Sequence, residues 1–344
     1  MREAIALLIN DIHISKDNIA EFNRNWDEML SVCNRENIAD IIVGGDMFTT
    51  RASQTLPVLC AVKQALLMAV NNGCFVTIAE GNHDKPNPEI FEGYNHLWVG
   101  LKGIDVADSH KILFWEGCNF VLLAMSYFPE NGTFLEKLNL AVDDTLKLYP
   151  KFTQKDIILY IHEGVHGALG DFEIPNELPQ EPLLDFKAVL CGHYHNRCRI
   201  KHTNIEYIGS SRQHNFGEDE EKGYTILYSD GTYEFVKNEV NTRYRTIEID
   251  ADYADSLQIT PDSRYKNKIK VKCSEKQAKL FDKQKFLDLG FDKVEMVAAS
   301  IVDKAVVAAG IQEKYDIIGI KKEYQEYCEE NSIDSRLGIK YLEG

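Results

Sequence analysis

Residues able to do chemistry recur at the ends of apolar runs in this chain. Asp11 and His13 follow residues 4–9, Asp46 follows 41–43, Asn82 and His83 follow 75–79, His162 closes 157–161, and His193 and His195 follow 188–191. Carboxylate, imidazole and amide oxygen together suit manganese, iron or zinc. An aspartate that bridges suits two such ions held about 4 Å apart, which lower the pKa of a shared water and clamp a phosphate for in-line attack. Taken singly, each residue has a plainer reading: a strand-end Asp as a turn or helix cap, a lone His as a surface or hydrogen-bonded group. Five strand ends carrying the same chemistry weigh against coincidence.

The elements that must position these residues alternate. Short apolar runs at 4–9, 41–43, 75–79, 120–124, 157–161 and 188–191 read as buried strands. Between them, residues 19–34 place Phe22, Trp26, Met29, Leu30 and Cys33 at helical spacing, and 56–70 reads as a helix begun near Pro57. Strands at 205–208, 224–228 and 233–236 follow, joined by turns such as Ser229-Asp230-Gly231. The expectation is an α/β sheet with polar groups gathered at its carboxyl edge, where such sheets bind ligands. Near Asn241 the pattern changes to strands at 244–249, 266–273 and 294–298 with an amphipathic helix over 275–289. That reads as a small separate α/β cap, followed by a tail with Ile317, Ile320, Tyr324 and Tyr327 at helical spacing. The expected division is 1–240, 241–300 and 301–344.

At 344 residues the chain exceeds what one core usually serves. Its formal charge of −16 argues against indiscriminate nucleic-acid binding, since phosphate affinity comes largely from Lys and Arg. Nothing reaches the roughly 18 uncharged apolar residues of a membrane span, and the first residues carry no signal-peptide pattern, so a cytoplasmic protein with no membrane partner is expected. Eight scattered cysteines without a CxxC pair read as reduced thiols.

Taken in order, Asp11-x-His13, Gly45-Asp46, Gly81-Asn82-His83-Asp84, His162 and Gly192-His193-x-His195 resemble the signature of the calcineurin-like metallophosphoesterases, over roughly residues 1–240. Tyr207-Ile208-Gly209-Ser210-Ser211, then Phe216-Gly217-Glu218 and Lys222-Gly223-Tyr224, are similar to the segment closing the nuclease domain of SbcD-type DNA-repair nuclease subunits. The short length is closer to phage members, whose compartment is the bacterial host cytoplasm.

The resemblance implies a sheet sandwich flanked by helices, with the cap and helical tail beyond it. It implies one metal held by Asp11, His13, Asp46 and His195 and another by Asp46, Asn82, His162 and His193, most simply manganese, with magnesium, iron or zinc as alternatives. His83 would contact the scissile phosphate and help the leaving oxygen depart. Three residues after the bridging aspartate the family usually has Asp or His to orient that histidine; here the position is Thr49, with Asp84 as a substitute or as a cap of its own turn.

The implied activity is a DNA exonuclease on duplex ends and endonuclease on single strands, working as a homodimer with an SbcC-like SMC/ABC ATPase docked on the tail. In the cap, Arg264, Lys266, Lys268, Lys270 and Lys272 alternate, so a strand would put them on one face able to track a phosphate backbone. The plainer alternative is a lysine-protected edge strand. Leu56, Leu59, Leu66, Leu67, Phe91, Tyr94, Leu97 and Trp98 are ordinary core or the two-fold contact. Rival functions on the same fold are a phosphatase, a cyclic-nucleotide phosphodiesterase, or a non-catalytic scaffold.

Overall fold

In a computed structural model of the protein, the described residues are 2–129, 132–170, 174–253, 260–298 and Cys328. The expected helical tail therefore lies, Cys328 apart, outside them. The chain divides into two compact units, Met1–Arg245 with Asp262–Asn267, and Thr246–Pro261 with Lys268–Gly344.

In the first unit the strands are β1 (Ala4–Ile9), β2 (Asp40–Gly44), β3 (Phe75–Ala79), β4 (Ile104–Val106), β5 (His110–Leu113), β6 (Val121–Met125), β7 (Ile157–His162), β8 (Ala188–Gly192), β9 (Cys198–Arg199), β10 (Ile205–Tyr207), β11 (Gly223–Tyr228) and β12 (Tyr233–Lys237). The helices are α1 (Ile19–Glu36), α2 (Leu56–Asn71) and α3 (Thr133–Leu148). They build two sheets, ordered β12-β11-β1-β2-β3-β4 and β5-β6-β7-β8-β10-β9. Among the described residues no helix is long and apolar enough to cross a membrane.

The two-residue period of the strands decides what packs where. Leu7, Ile9, Ile41, Val43, Val76 and Ile78 point outward from the first sheet onto Phe22, Trp26 and Met29 of α1 and Val62 and Leu66 of α2. Their neighbours Ala6, Leu8 and Ile42 point inward and meet Phe120, Leu122, Ile158, Tyr160 and Leu190 of the second sheet. The outer face of that sheet, with Leu123, Leu159, Ile161 and Val189, is covered by Phe134, Leu138 and Ala141 of α3. The result is the expected sheet sandwich flanked by helices. Because β1, β2 and β3 run parallel, as do β7 and β8, their carboxyl ends share edges on which the candidate residues sit.

The second unit carries most of β13 (Arg243–Asp250) and of β14 (Tyr265–Cys273) and all of β15 (Lys293–Ala298), with α4 (Glu275–Leu280) and α5 (Lys283–Asp288). Ile249, Ile269, Val271, Phe286 and Phe291 form its core. Two expectations need correction here. The single helix over 275–289 is two, because Phe281 is extended and Asp282 caps α5 by accepting from the Gln284 and Lys285 amides. The lysine strand β14 is the middle strand of its sheet rather than an edge.

Candidate dinuclear metal centre

Strands β1, β2 and β8 hand over their candidate ligands through strained turns. Asp11, His13, Asp46 and His193 all have positive φ, between 48° and 90°, a conformation that costs non-glycine residues of order 1–3 kcal/mol each and survives only where the surroundings enforce it. The turns after β1 and β2 enforce it on one another: the Asp11 amide donates to the Gly45 carbonyl (3.0 Å), and those of Ile12 and His13 to the Asp46 carbonyl (2.9 and 3.0 Å). Gly81 is dictated by contact, since a Cβ there would lie 2.2 Å from Asp46 Oδ1.

The side chains converge on two carboxylates. Asp46 Oδ1 accepts from the His83 amide (2.8 Å), while Oδ2 lies 3.4 Å from His13 Nε2 and 3.2 Å from His162 Nε2. One oxygen thus sits between two histidines that the resemblance assigns to different metals. Asp11 Oδ1 faces His162 Nε2 at 3.8 Å and His195 Nε2 at 3.7 Å, and its carboxylate accepts from the His193 amide. Asn10 donates to Asp11 Oδ2 and accepts from the Tyr160 phenol at 2.8 Å, which fixes that carboxylate from behind.

Outer hydrogen bonds set the imidazole tautomers, because a carbonyl or carboxylate can only accept. His162 Nδ1 donates to the Gly44 carbonyl (2.9 Å) and His195 Nδ1 to Glu218 Oε1 (2.9 Å), which leaves both Nε2 atoms facing the cluster. Burial pushes His13 and His193 down to about 4, so both are neutral and can donate a lone pair. For His162 burial works the same way, but the Asp46 and Asp11 carboxylates outweigh it and raise it to about 9. Asp46 resists its own burial through the imidazoles of His162, His13 and His83, which hold it well below the usual carboxylate range.

Whether a divalent ion fits can be judged from two buried atoms. Asn82 Oδ1 and His162 Nε2 are shielded from solvent yet make no hydrogen bond. Buried polar atoms left without a hydrogen bond are costly in a native protein, and the Asn82 oxygen, which can only accept, is suited to a cation. Asp11, Asp46 and His162, together with His13, Asp46 and His83, also form groups compact enough to hold a cation. The donor set of nitrogen, carboxylate and amide oxygen therefore fits divalent metal.

His83 is half-buried at the rim of the adjoining cleft, and its Nδ1 donates to the main-chain carbonyl of Thr49 at 2.6 Å. The Thr49 hydroxyl is used elsewhere, donating to the His13 carbonyl at 2.7 Å. Asp84 does not reach the His83 ring: it is fully buried, and its oxygens accept from the Phe48 and Gly81 amides (3.0 and 2.8 Å), which shapes the turn carrying Asn82 and His83.

Two residues outside the expected set belong to this centre. Glu218 orients His195 and accepts from the His214 amide at 3.0 Å. His214 Nε2 donates to the Asp11 carbonyl (2.9 Å), and its ring packs 4.5 Å from that of His195 and 5.0 Å from that of His13. The Phe216-Gly217-Glu218 triplet was the available signal for the first; the second had none, sitting on a loop without a periodic pattern.

The DNA-binding candidates are partly neutralised. Arg264, in the first unit, pairs with Asp262 at 2.7 Å. In the second unit, Lys268 pairs with Glu295 (3.1 Å), and Lys270 and Lys272 pair with Glu248 (3.8 and 3.1 Å). Lys266 is exposed.

A family model described as calcineurin-like phosphoesterase matches residues 6–197. The chain is 28% identical over 297 residues to "Putative phosphoesterase 244L" of Invertebrate iridescent virus 6, covering 81% of this chain and 97% of that one. It is 23% identical over 250 residues to "Putative phosphoesterase 078R" of Invertebrate iridescent virus 3, covering 71% and 67%. Among solved structures it matches a Pseudomonas putida nuclease MPE at 16% identity and TM-score 0.29, over 58% of this chain and 65% of that one. It also matches a cold-active protein-tyrosine phosphatase of a Shewanella species at 13% and 0.29, over 68% and 81%. The family match spans Asp11 through His195, all of the strand-end ligands described above, and on that extent the chain belongs to the calcineurin-like phosphoesterase family.

Proposed function

We propose that this phosphoesterase is a manganese-dependent DNA nuclease of the SbcD type, cutting duplex ends exonucleolytically and single strands endonucleolytically. One observation carries the reading most: the Asp46 carboxylate spans the His13 and His162 nitrogens with one oxygen and holds the His83 amide with the other. The phosphate-facing histidine and the bridging ligand are thereby one rigid piece.

When bound, a pair of divalent ions supplies charge against the phosphate and acidifies a water. Asp11, His13, Asp46 and His195 would hold one ion, and Asp46, Asn82, His162 and His193 the other. His83, with Nδ1 committed to the Thr49 carbonyl, presents Nε2 as the position that exchanges a proton, so in its protonated form it stabilises the phosphoryl oxygens and protonates the leaving alkoxide.

DNA would be met by Lys266, Lys268, Lys270, Lys272 and Arg264. Solvent-exposed ion pairs contribute about 0–1 kcal/mol, so a phosphate can replace Glu248 or Asp262 at little cost. Leu66 and Trp98 are buried core, but Leu56 (72% exposed) and Leu97 (59%) lie open with Leu67 and Phe91, and we propose them as the surface of a homodimer. The ATPase partner would be an SbcC-like SMC/ABC protein.

The test is cleavage of end-labelled duplex and single-stranded oligonucleotides with manganese. His83→Ala should lower kcat about 100-fold or more while manganese still binds with unchanged stoichiometry by calorimetry. Intact DNA under these conditions, or hydrolysis confined to phosphomonoesters, would overturn the assignment.

A further inference from the structure

Two clefts open on the metal centre, and they share His193 and His195 as a common wall. One, of about 420 Å³, runs past His83, Ser15, Asn18 and Arg51. The other, of about 580 Å³, is lined besides the histidine pair by Ala168, Leu169, Tyr194 and Cys198 with Asn196, Asn215 and Glu218. Both volumes are those of small-ligand clefts, about 300–1,000 Å³.

A phosphate at the centre that carries one organic substituent fills one cleft. A diester carries two, one for each. We infer that the 580 Å³ cleft is a binding subsite for the nucleoside on one side of the scissile phosphate, and that it selects nucleoside diesters over smaller ones. The inference rests on the phosphodiesterase reading above.

The walls suit a base. Leu169 is 48% exposed and presents its side chain to the cleft. The Tyr194 ring is fixed, since its phenol donates to Glu177 and its face packs 5.1 Å from both His193 and Tyr207. Asn196 Oδ1 accepts from Lys222 Nζ (2.7 Å) and from the Asp219 amide (3.2 Å). Its amide nitrogen donates to no group among the described residues, so it is available to a ring nitrogen or carbonyl of a base. An aromatic and aliphatic wall with one directed donor is the usual composition of a site that orients a planar heterocycle.

The experiment compares kcat/KM for thymidine 5′-(p-nitrophenyl phosphate) and methyl p-nitrophenyl phosphate, in wild type and Leu169→Ser, with manganese binding and Tm measured in parallel to establish that the variant is folded and loaded. The expected result is a fall of about 10-fold in the ratio of the two kcat/KM values, the size of effect that one apolar contact gives a pocket. A ratio within twofold of wild type overturns the subsite while leaving the phosphodiesterase reading intact. A wild-type protein that hydrolyses neither diester but does hydrolyse p-nitrophenyl phosphate overturns both.

Discussion

Replacing Glu218 by Gln separates metal affinity from fold. The carboxylate serves four groups: Oε1 accepts from His195 Nδ1 (2.9 Å) and Asn215 Nδ2 (2.8 Å), and Oε2 accepts from the His214 amide (3.0 Å) and faces Lys222 Nζ at 3.7 Å. Gln has nearly the same shape but one acceptor end. Whichever way it turns, its NH₂ meets either the two side-chain donors on the Oε1 side or the His214 amide and the Lys222 ammonium on the Oε2 side. If His195 loses its acceptor, nothing fixes its tautomer, and Nε2 no longer faces Asp11 for free. Loss of an outer carboxylate of this kind typically costs 10–100-fold in metal affinity, or about 1.4–2.8 kcal/mol. We expect the manganese Kd of Glu218→Gln to rise by that factor in isothermal titration calorimetry, with activity largely recovered at saturating metal. Glu221→Gln, whose exposed side chain pairs with Lys237 in a surface bridge, is the control and should leave the Kd unchanged. A Glu218→Gln Kd within twofold of wild type would refute the view that this carboxylate orients His195.

Two further outcomes follow from the same geometry. Thr49→Val removes the hydroxyl bond to the His13 carbonyl but keeps the carbonyl that holds His83, so chemical denaturation should show a loss of about 1 kcal/mol while kcat stays within a factor of about 3. His96 hydrogen-bonds Asp108 at 3.0 Å and lies 3.5 Å from buried Glu80, and these carboxylates, Glu80 foremost, raise it from 6.5 to about 9. A raised imidazole stabilises the fold fully below pH 6.5 and progressively less as pH rises toward 9. The difference in urea stability between wild type and His96→Gln should therefore shrink across that window; a difference that stays constant would exclude the charge interaction.

The strand-end candidates were legible because each is a polar cluster set against an apolar run, and parallel strands bring such ends to common edges. What escaped reading depends on tertiary encounter. Tyr160 looks like one more apolar strand residue until its phenol reaches Asn10, and His214 gains a role only because its loop folds back under Asp11. Helix α3 went unread although Phe134, Leu138, Ala141 and Thr145 recur at helical spacing, since Leu135, Leu140, Val142, Leu146 and Leu148 fall off that stripe and blur it. The helix expected over 275–289 split because Asp282 competes for the backbone as a cap, and periodicity alone does not register that competition. The alternating lysines were read as one face with Arg264, which lies before β14, and cross-strand Glu248 and Glu295 lie on neighbouring strands, so their neutralising effect exists only once the sheet is assembled.

His83 leans on a carbonyl, and every amino acid has one. The partner of this histidine is therefore set by the path of the backbone after Asp46, whatever side chain stands at position 49. Across relatives, the loss of an acidic or imidazole side chain at that position should not be scored as decay of the enzyme. An insertion or deletion between Asp46 and Thr49 would move that carbonyl away from His83 Nδ1 whatever the side chains there.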